Sequence, residues 1–199
     1  LPSGKLVSTA GSSFAVSSSY DAFNRLHLLT YPSWTLNPAD DVVIRHEYQN
    51  GALERLVDHK TNVVYQRVAN VNARSQATQV VYGNGVTEDR DFYAASGWLD
   101  TSSVKRGANH VHNMKYDYDL VGNVKLRQLS FGDVGSSAGF SEAFDYDDLH
   151  RVKSRTITNL GGSTGYAALP AALRMNENYN YDHFGNLTSK TGVGNYCYT

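Results

Sequence analysis

The chain has 199 residues, with 18 Lys plus Arg against 19 Asp plus Glu and a formal net charge of −1. That balance argues against nucleic acid as a partner, since its binders need a basic patch. The single cysteine, Cys197, excludes an internal disulfide and a cysteine-based metal site, and no apolar run approaches the roughly 20 residues of a membrane-spanning helix. Tyrosine is over-used, at 14, and 17 Gly with only 4 Pro suit a chain of many turns whose strands are free to pair.

Residues 1–17 are rich in Ser, Gly and Ala, with Phe14 and Val16 alternating, and predict an entering strand or loop. Leu1-Pro2-Ser3-Gly4-Lys5 has no apolar stretch behind it, so no signal peptide is expected there. Tyr20-Asp21-Ala22-Phe23-Asn24-Arg25-Leu26 then predicts a hairpin ending near Tyr31-Pro32. A loop follows from Trp34 to Asp41. Val42–Tyr48 alternates as a strand into Asn50-Gly51, the signature of a tight two-residue hairpin turn. Asp58–Asn62 is the next turn, Val63–Val71 and Ser75–Tyr82 are strands, and Gly83-Asn84-Gly85 reverses the chain. Thr87–Tyr93, Trp98–Val104 and His110–Tyr118 continue as strands. Residues 129–139 and 159–176 are expected to be loop insertions. The second contains the one passable helix candidate, Tyr166–Met175, limited to about two turns by Pro170.

One string recurs. Tyr116-Asp117-Tyr118-Asp119-Leu120-Val121-Gly122-Asn123-Val124 is echoed by Phe144-Asp145-Tyr146-Asp147-Asp148-Leu149-His150-Arg151-Val152 and by Tyr179-Asn180-Tyr181-Asp182-His183-Phe184-Gly185-Asn186-Leu187. Tyr20-Asp21 opens a fourth copy. Tyr93 to Leu99 lacks the Asp, and the copy at Tyr48 is one residue shorter. Two aromatics at i and i+2 share one face of a strand. Asp at the first position of a type I turn accepts from backbone two residues on, and Gly is favoured at the fourth. That fourth position is Gly122, Gly185, Asn24 or His150, all residues that tolerate a positive φ. Each copy therefore predicts one β-hairpin.

The repeated Tyr-Asp-x-x-Gly-Asn/Arg-aliphatic motif resembles the RHS/YD-repeat family, found in bacterial polymorphic toxins, in shell components of insecticidal toxin complexes and in animal teneurins. The resemblance covers roughly residues 18–199. The fold class it implies is all-β: consecutive antiparallel hairpins in a twisted, curved strip, part of a larger shell. Residues 1–199 are expected to be a single array and a fragment of a longer precursor, secreted or displayed at the cell surface. The implied function is structural and non-catalytic, enclosing a toxin. The implied partners are other repeats of the same polypeptide or a shell partner. The repeat residues are Tyr20, Asp21, Tyr118, Asp119, Gly122, Tyr146, Asp147, Tyr181, Asp182 and Gly185. The alternative is an adhesion module that presents Tyr- and Trp-rich strands to glycans or a partner protein, with Trp34 and Trp98 as binding aromatics.

Other chemistry finds little support. His110-x-His112 could place two imidazoles on one strand face, but no third ligand has a recognisable spacing. Asp117-x-Asp119 and Asp145-x-Asp147 resemble the start of a calcium loop; in the first copy Val121 stands at the fifth position and no suitable Glu follows. Asp40-Asp41 and Asp89-x-Asp91 have no context for glycosidase acids. No catalytic residue, cofactor or metal is expected.

Overall fold

The computed structural model describes residues 4–7, 13–35, 37–132, 139–160 and 171–198. The chain divides into two compact units, residues 1–87 and 88–199. The first holds β1 (Gly4–Val7), β2 (Ser13–Tyr20), β3 (Leu26–Tyr31), β4 (Val42–Gln49), β5 (Ala52–Asp58), β6 (Val64–Val71) and β7 (Ala77–Tyr82). The second holds the body of β8 (Val86–Phe92), then β9 (Leu99–Arg106), β10 (Asn109–Tyr118), β11 (Val124–Phe131), β12 (Gly139–Tyr146), β13 (Val152–Asn159), β14 (Glu177–Tyr181), β15 (Leu187–Lys190) and β16 (Gly194–Asn195). Within each unit strand order is chain order. Each strand pairs antiparallel with its successor from β1 through β7. The same holds from β9 through β16. The fold is all-β, an open sheet of consecutive hairpins. Its described helical content is two short 3-10 turns, Pro38–Asp40 and Ala171–Arg174.

A single sheet can bury little. Among the described residues the buried apolar side chains are Val57 and Val80 in the first unit and Phe140 and Ile157 in the second. Most other strand residues are half-buried, which suits tyrosine, with its apolar body and polar tip.

One irregularity recurs. In β2–β3, β6–β7, β10–β11, β12–β13 and β14–β15 the register shifts at the last pair before the turn, and in β4–β5 one pair earlier, at Tyr48. The return strand carries one extra residue there: His27, Glu54, Thr78, Lys125, Lys153 or Thr188. All six are polar. A bulge adds local twist and leaves one residue outside the ladder, where a polar side chain is tolerated.

The strand expected from Ser75 begins instead at Ala77, because Ser75 belongs to a turn with φ of 61°. β11 runs on to Phe131, taking in the first residues of the expected insertion at 129–139. Within that insertion residues 133–138 lie outside the described residues, as do 161–170, which carry the first half of the helix candidate; its described second half holds a single 3-10 turn.

Candidate functional site

Four turns share one hydrogen-bond set, built entirely from local residues. The Oδ1 of Asp21, Asp119, Asp147 and Asp182 each accepts two backbone N–H groups, two and four residues on, at 2.8 to 3.0 Å. The Oδ2 accepts a side-chain N–H from the residue after the left-handed position. The donor is Arg25 Nε at 2.8 Å, Asn123 Nδ2 at 2.8 Å, Arg151 Nε at 2.7 Å and Asn186 Nδ2 at 2.9 Å. Asn and Arg alternate at that position because each brings a nitrogen donor to the same oxygen. The fourth turn residue donates its N–H back to the Asp carbonyl in every case. Its φ is 59° at Asn24, 96° at Gly122, 60° at His150 and 91° at Gly185. The positive φ that the motif requires at Gly122 and Gly185 is therefore present.

These bonds hold all four carboxyls below the usual range. For Asp21 the cause is the Arg25 backbone N–H first and its guanidinium second; for Asp147 it is the Arg151 side chain. Asp182 is held down chiefly by the Asn186 side chain. At Asp119 partial desolvation opposes the shift, and Asn123 overcomes it.

A further copy escaped the sequence reading. Asn72 Oδ1 accepts the N–H of Arg74 and Gln76, Asn72 Nδ2 donates to Gln76 Oε1 at 2.9 Å, and Ser75 takes the left-handed position. Val71-Asn72-Ala73-Arg74-Ser75-Gln76 thus occupies the motif with no Tyr, Asp or Gly in it. It fills the wide gap between Tyr48 and Tyr93. The readable signal was an Asn-x-x-Ser-Gln string at motif spacing.

The motif tyrosines join one hairpin to the one before it. Tyr48 Oη donates to the Leu26 carbonyl at 2.8 Å, Tyr118 to Leu99, Tyr146 to Val124 and Tyr181 to Val152, each at 2.9 Å. Every acceptor is the first residue of the preceding return strand. Tyr198 makes the same bond to Leu187 at 2.8 Å, a role the sequence reading did not assign. Tyr93 differs and donates to the Tyr116 carbonyl. Burial pushes the Tyr118 and Tyr146 hydroxyls up in pKa, so they stay neutral donors.

Where the brace on the Asp is an arginine, it also covers the next tyrosine ring. The Arg25 guanidinium lies 4.3 Å from the Tyr48 ring centre and that of Arg151 4.5 Å from Tyr181. Trp98 holds this place in its own hairpin, with its ring 5.1 Å from Tyr118. It also lies under Gly122, where an added Cβ would come within 2.9 Å of the indole. Trp98 is thus packed into the join between hairpins, whereas Trp34 stands exposed on the β3–β4 loop.

A ladder of charges crosses the tyrosine face of the second unit. Alternation places Phe140, Glu142, Phe144 and Tyr146 on one face of β12. Buried Glu142 is gripped by Arg127 from β11 and Arg155 from β13. Arg155 reaches Glu177 at 3.3 Å, and Glu177 also binds Lys190 at 2.9 Å and the Tyr179 hydroxyl at 2.5 Å. Buried carboxylates are tolerated only when paired in this way.

The other candidates are dispersed. The bulge between His110 and His112 separates the two imidazoles: His110 Nδ1 lies near Ser103 Oγ and Asn113 Oδ1, while His112 shares a cleft with Glu88, Arg90 and Tyr116. The carboxylates of Asp40 and Asp41 accept from Thr35 Oγ1 and Ser33 N inside their loop. Asp89 pairs with Lys105, and Asp91 accepts from Thr101 Oγ1. Asp117 accepts from the Tyr118 N–H and Asp145 faces Lys153 at 3.8 Å. Among the described residues no group of three or more His, Cys, Asp or Glu side chains converges as a metal site.

The array of consecutive hairpins is a fold shared with very large proteins. The crystal structure of TcdB2–TccC3–Cdc42 matches 98% of this chain with a TM-score of 0.64 at 20% identity, and the chain spans 11% of that chain's length. The structure of the Photorhabdus luminescens Tc holotoxin pore matches 92% with a TM-score of 0.60 at 20% identity, over 9% of that chain. These similarities show a common fold, in agreement with the RHS/YD-repeat resemblance of the motifs. No protein-family model matches the chain, and no curated protein matches it.

Proposed function

We propose that the chain is a non-catalytic wall segment of an RHS-type shell protein, part of a longer precursor that is secreted or delivered at the cell surface, and that the wall encloses a toxin. The observation that carries this reading is where the motif side chains are spent. The Asp oxygens are used within their own turns, and the tyrosine hydroxyls bond the backbone of the neighbouring hairpin. Residues that repeat along the chain thus repeat a structural join, and they leave no convergent reactive group. The fold similarity to Tc toxin structures nine to eleven times longer than the matched stretch supports the same reading. Its partners are then further repeats of the same polypeptide or a shell partner.

The test is protease protection in a full-length precursor carrying this segment. The enclosed C-terminal region should resist digestion while the wall is intact. It should become sensitive when Tyr118, Tyr146 and Tyr181 are all changed to Phe. Equal sensitivity of both precursors would remove the enclosure reading. Saturable glycan binding lost in Trp34→Ala would favour the adhesion module instead.

A further inference from the structure

Two Asn-Gly pairs occur in the chain, Asn50-Gly51 and Asn84-Gly85, and both lie in tight turns between strands. They share one latent reaction. The backbone nitrogen of the glycine, once deprotonated, can attack the side-chain carbonyl carbon of the asparagine, because glycine has no Cβ to block the approach. The new N–Cγ bond closes a five-membered succinimide and the Cγ–Nδ2 bond breaks. The side-chain nitrogen leaves as ammonia, with the proton that the glycine gave up. Water then opens the ring. Addition at Cγ leaves aspartate; addition at the former backbone carbonyl leaves isoaspartate, in which the main chain runs through Cβ and Cγ.

The two turns treat the reacting groups differently. At Asn84 both are held: Oδ1 accepts the Val86 N–H at 3.1 Å, and the Gly85 N–H donates to the Tyr82 carbonyl at 3.0 Å. At Asn50 neither is. Gln49 pairs with Ala52 across a two-residue turn, which leaves Asn50 and Gly51 outside the ladder at φ of 50° and 83°. Among the described residues neither the Asn50 side chain nor the Gly51 N–H makes a hydrogen bond. Both residues are exposed, and nothing lies within 4 Å of the position that a Gly51 Cβ would take, so ring closure meets no neighbour. The other left-handed asparagines are followed by bulky residues. Asn24 precedes Arg25 and Asn62 precedes Val63, and Asn62 Oδ1 also accepts from Arg45 at 3.0 Å.

We propose that Asn50 is a self-modification site: in the folded chain it converts to aspartate and isoaspartate while Asn84 stays intact, and the isoaspartate unlatches the β4–β5 hairpin. Isoaspartate inserts one extra backbone carbon into a loop of two residues, and the geometry of that loop fixes the pairing of Gln49 with Ala52. Tyr48, whose hydroxyl joins this hairpin to the one before it through the Leu26 carbonyl, is the adjacent residue on β4. The site needs neither a shell nor a payload, so its outcome is separate from that of the protease-protection test.

Incubation of the 199-residue chain at neutral and at mildly alkaline pH, followed by tryptic digestion and mass spectrometry, tests this, with circular dichroism as the check that the chain stays folded. Peptides 46–55 and 75–90 each carry one Asn-Gly pair and no other asparagine. In the folded chain the first should gain the acid form at least about tenfold faster than the second, the ratio given by about 1.4 kcal/mol of hydrogen-bond restraint at Asn84. Both conversions should quicken at the higher pH, and in urea, where Asn84 is released, the two rates should converge. The deamidated fraction, isolated by anion exchange and shown by isoaspartyl methyltransferase labelling to hold isoaspartate, should melt below the variant Asn50→Asp, which carries the charge without the added atom. An unmodified peptide 46–55, equal rates at both pairs in the folded chain, or an isoaspartate fraction that melts with Asn50→Asp would each overturn the proposal.

Discussion

Two turns with the same backbone, Asn72–Ser75 and Asp119–Gly122, are built from different residues. Both close with a backbone N–H to the carbonyl three residues back, and both use a side-chain oxygen to accept the N–H groups two and four residues on. The first uses Asn, Ser and Gln where the second uses Asp, Gly and Asn. What differs is the connection outward. Tyr118 bonds the Leu99 carbonyl and packs against Trp98, whereas Val71, at the tyrosine position, is exposed and has no hydroxyl to donate. The turn is a local solution open to several residues; the join to the preceding hairpin is what demands tyrosine.

The sharpest break between the two turns is at the left-handed position. Gly122→Val forces a β-branched residue to φ of 96° and drives its Cβ into the Trp98 indole. Chemical denaturation should show a loss of about 3 kcal/mol or more. Ser75→Gly, which removes an L-residue from φ of 61°, should instead gain up to about 1 kcal/mol. At Gly185 the nearest atom to an added Cβ is the Arg151 guanidinium at 3.8 Å, so Gly185→Val should cost less than Gly122→Val.

Trp98→Ala removes the ring packed on Tyr118 and the floor beneath Gly122. A loss of about 2 kcal/mol is expected for a partly exposed indole. In that background Gly122→Ala should cost less than in the wild type, because only the φ strain remains. A double-mutant cycle measures the difference directly, and additivity would refute the contact.

Tyr146→Phe keeps the ring and deletes the hydroxyl bond to Val124. About 1 kcal/mol should be lost. Val71→Phe, where no such bond exists, should leave the denaturation midpoint close to wild type.

The smallest effect per site is in the acid limb. The folded-state values of Asp21, Asp119, Asp147 and Asp182 lie below the unfolded value of 3.8, so the unfolded chain binds more protons as pH falls through that region. Their contribution is whole above the unfolded value and is lost as pH drops through the folded ones. Asp58, held to about 2 first by the Tyr65 hydroxyl, extends the window downward. The melting temperature should be flat near neutrality and fall between about pH 4 and pH 2. Asp119→Asn should flatten that fall slightly. Asn72 does not titrate, so Asn72→Asp should steepen it.

The four Asp turns were legible in the chain because everything that makes them lies within five residues. Asp supplies the acceptor, Gly, Asn or His takes the positive φ, and Asn or Arg returns a donor to the same carboxylate. The Asn50-Gly51 turn was legible for the same reason, with φ of 50° and 83° at its two residues. The turn at Asn72 was hidden because Asn for Asp and Ser for Gly preserve the hydrogen bonds while erasing the letters.

The recurrence of tyrosine and aspartate in hairpin strings is written in the chain, and with it an all-β array. What the tyrosines bind emerges only when the strands pair. Their acceptors lie between 11 and 29 residues away and come into reach through strand register, which a bulge of one residue resets in the six hairpins described above. The same dependence on register separated His110 from His112, which share parity in the chain but not a surrounding in the fold. It also assembled Arg127, Glu142, Arg155, Glu177 and Lys190 from five strands into one ladder, since charges that far apart in sequence have no local spacing to announce them.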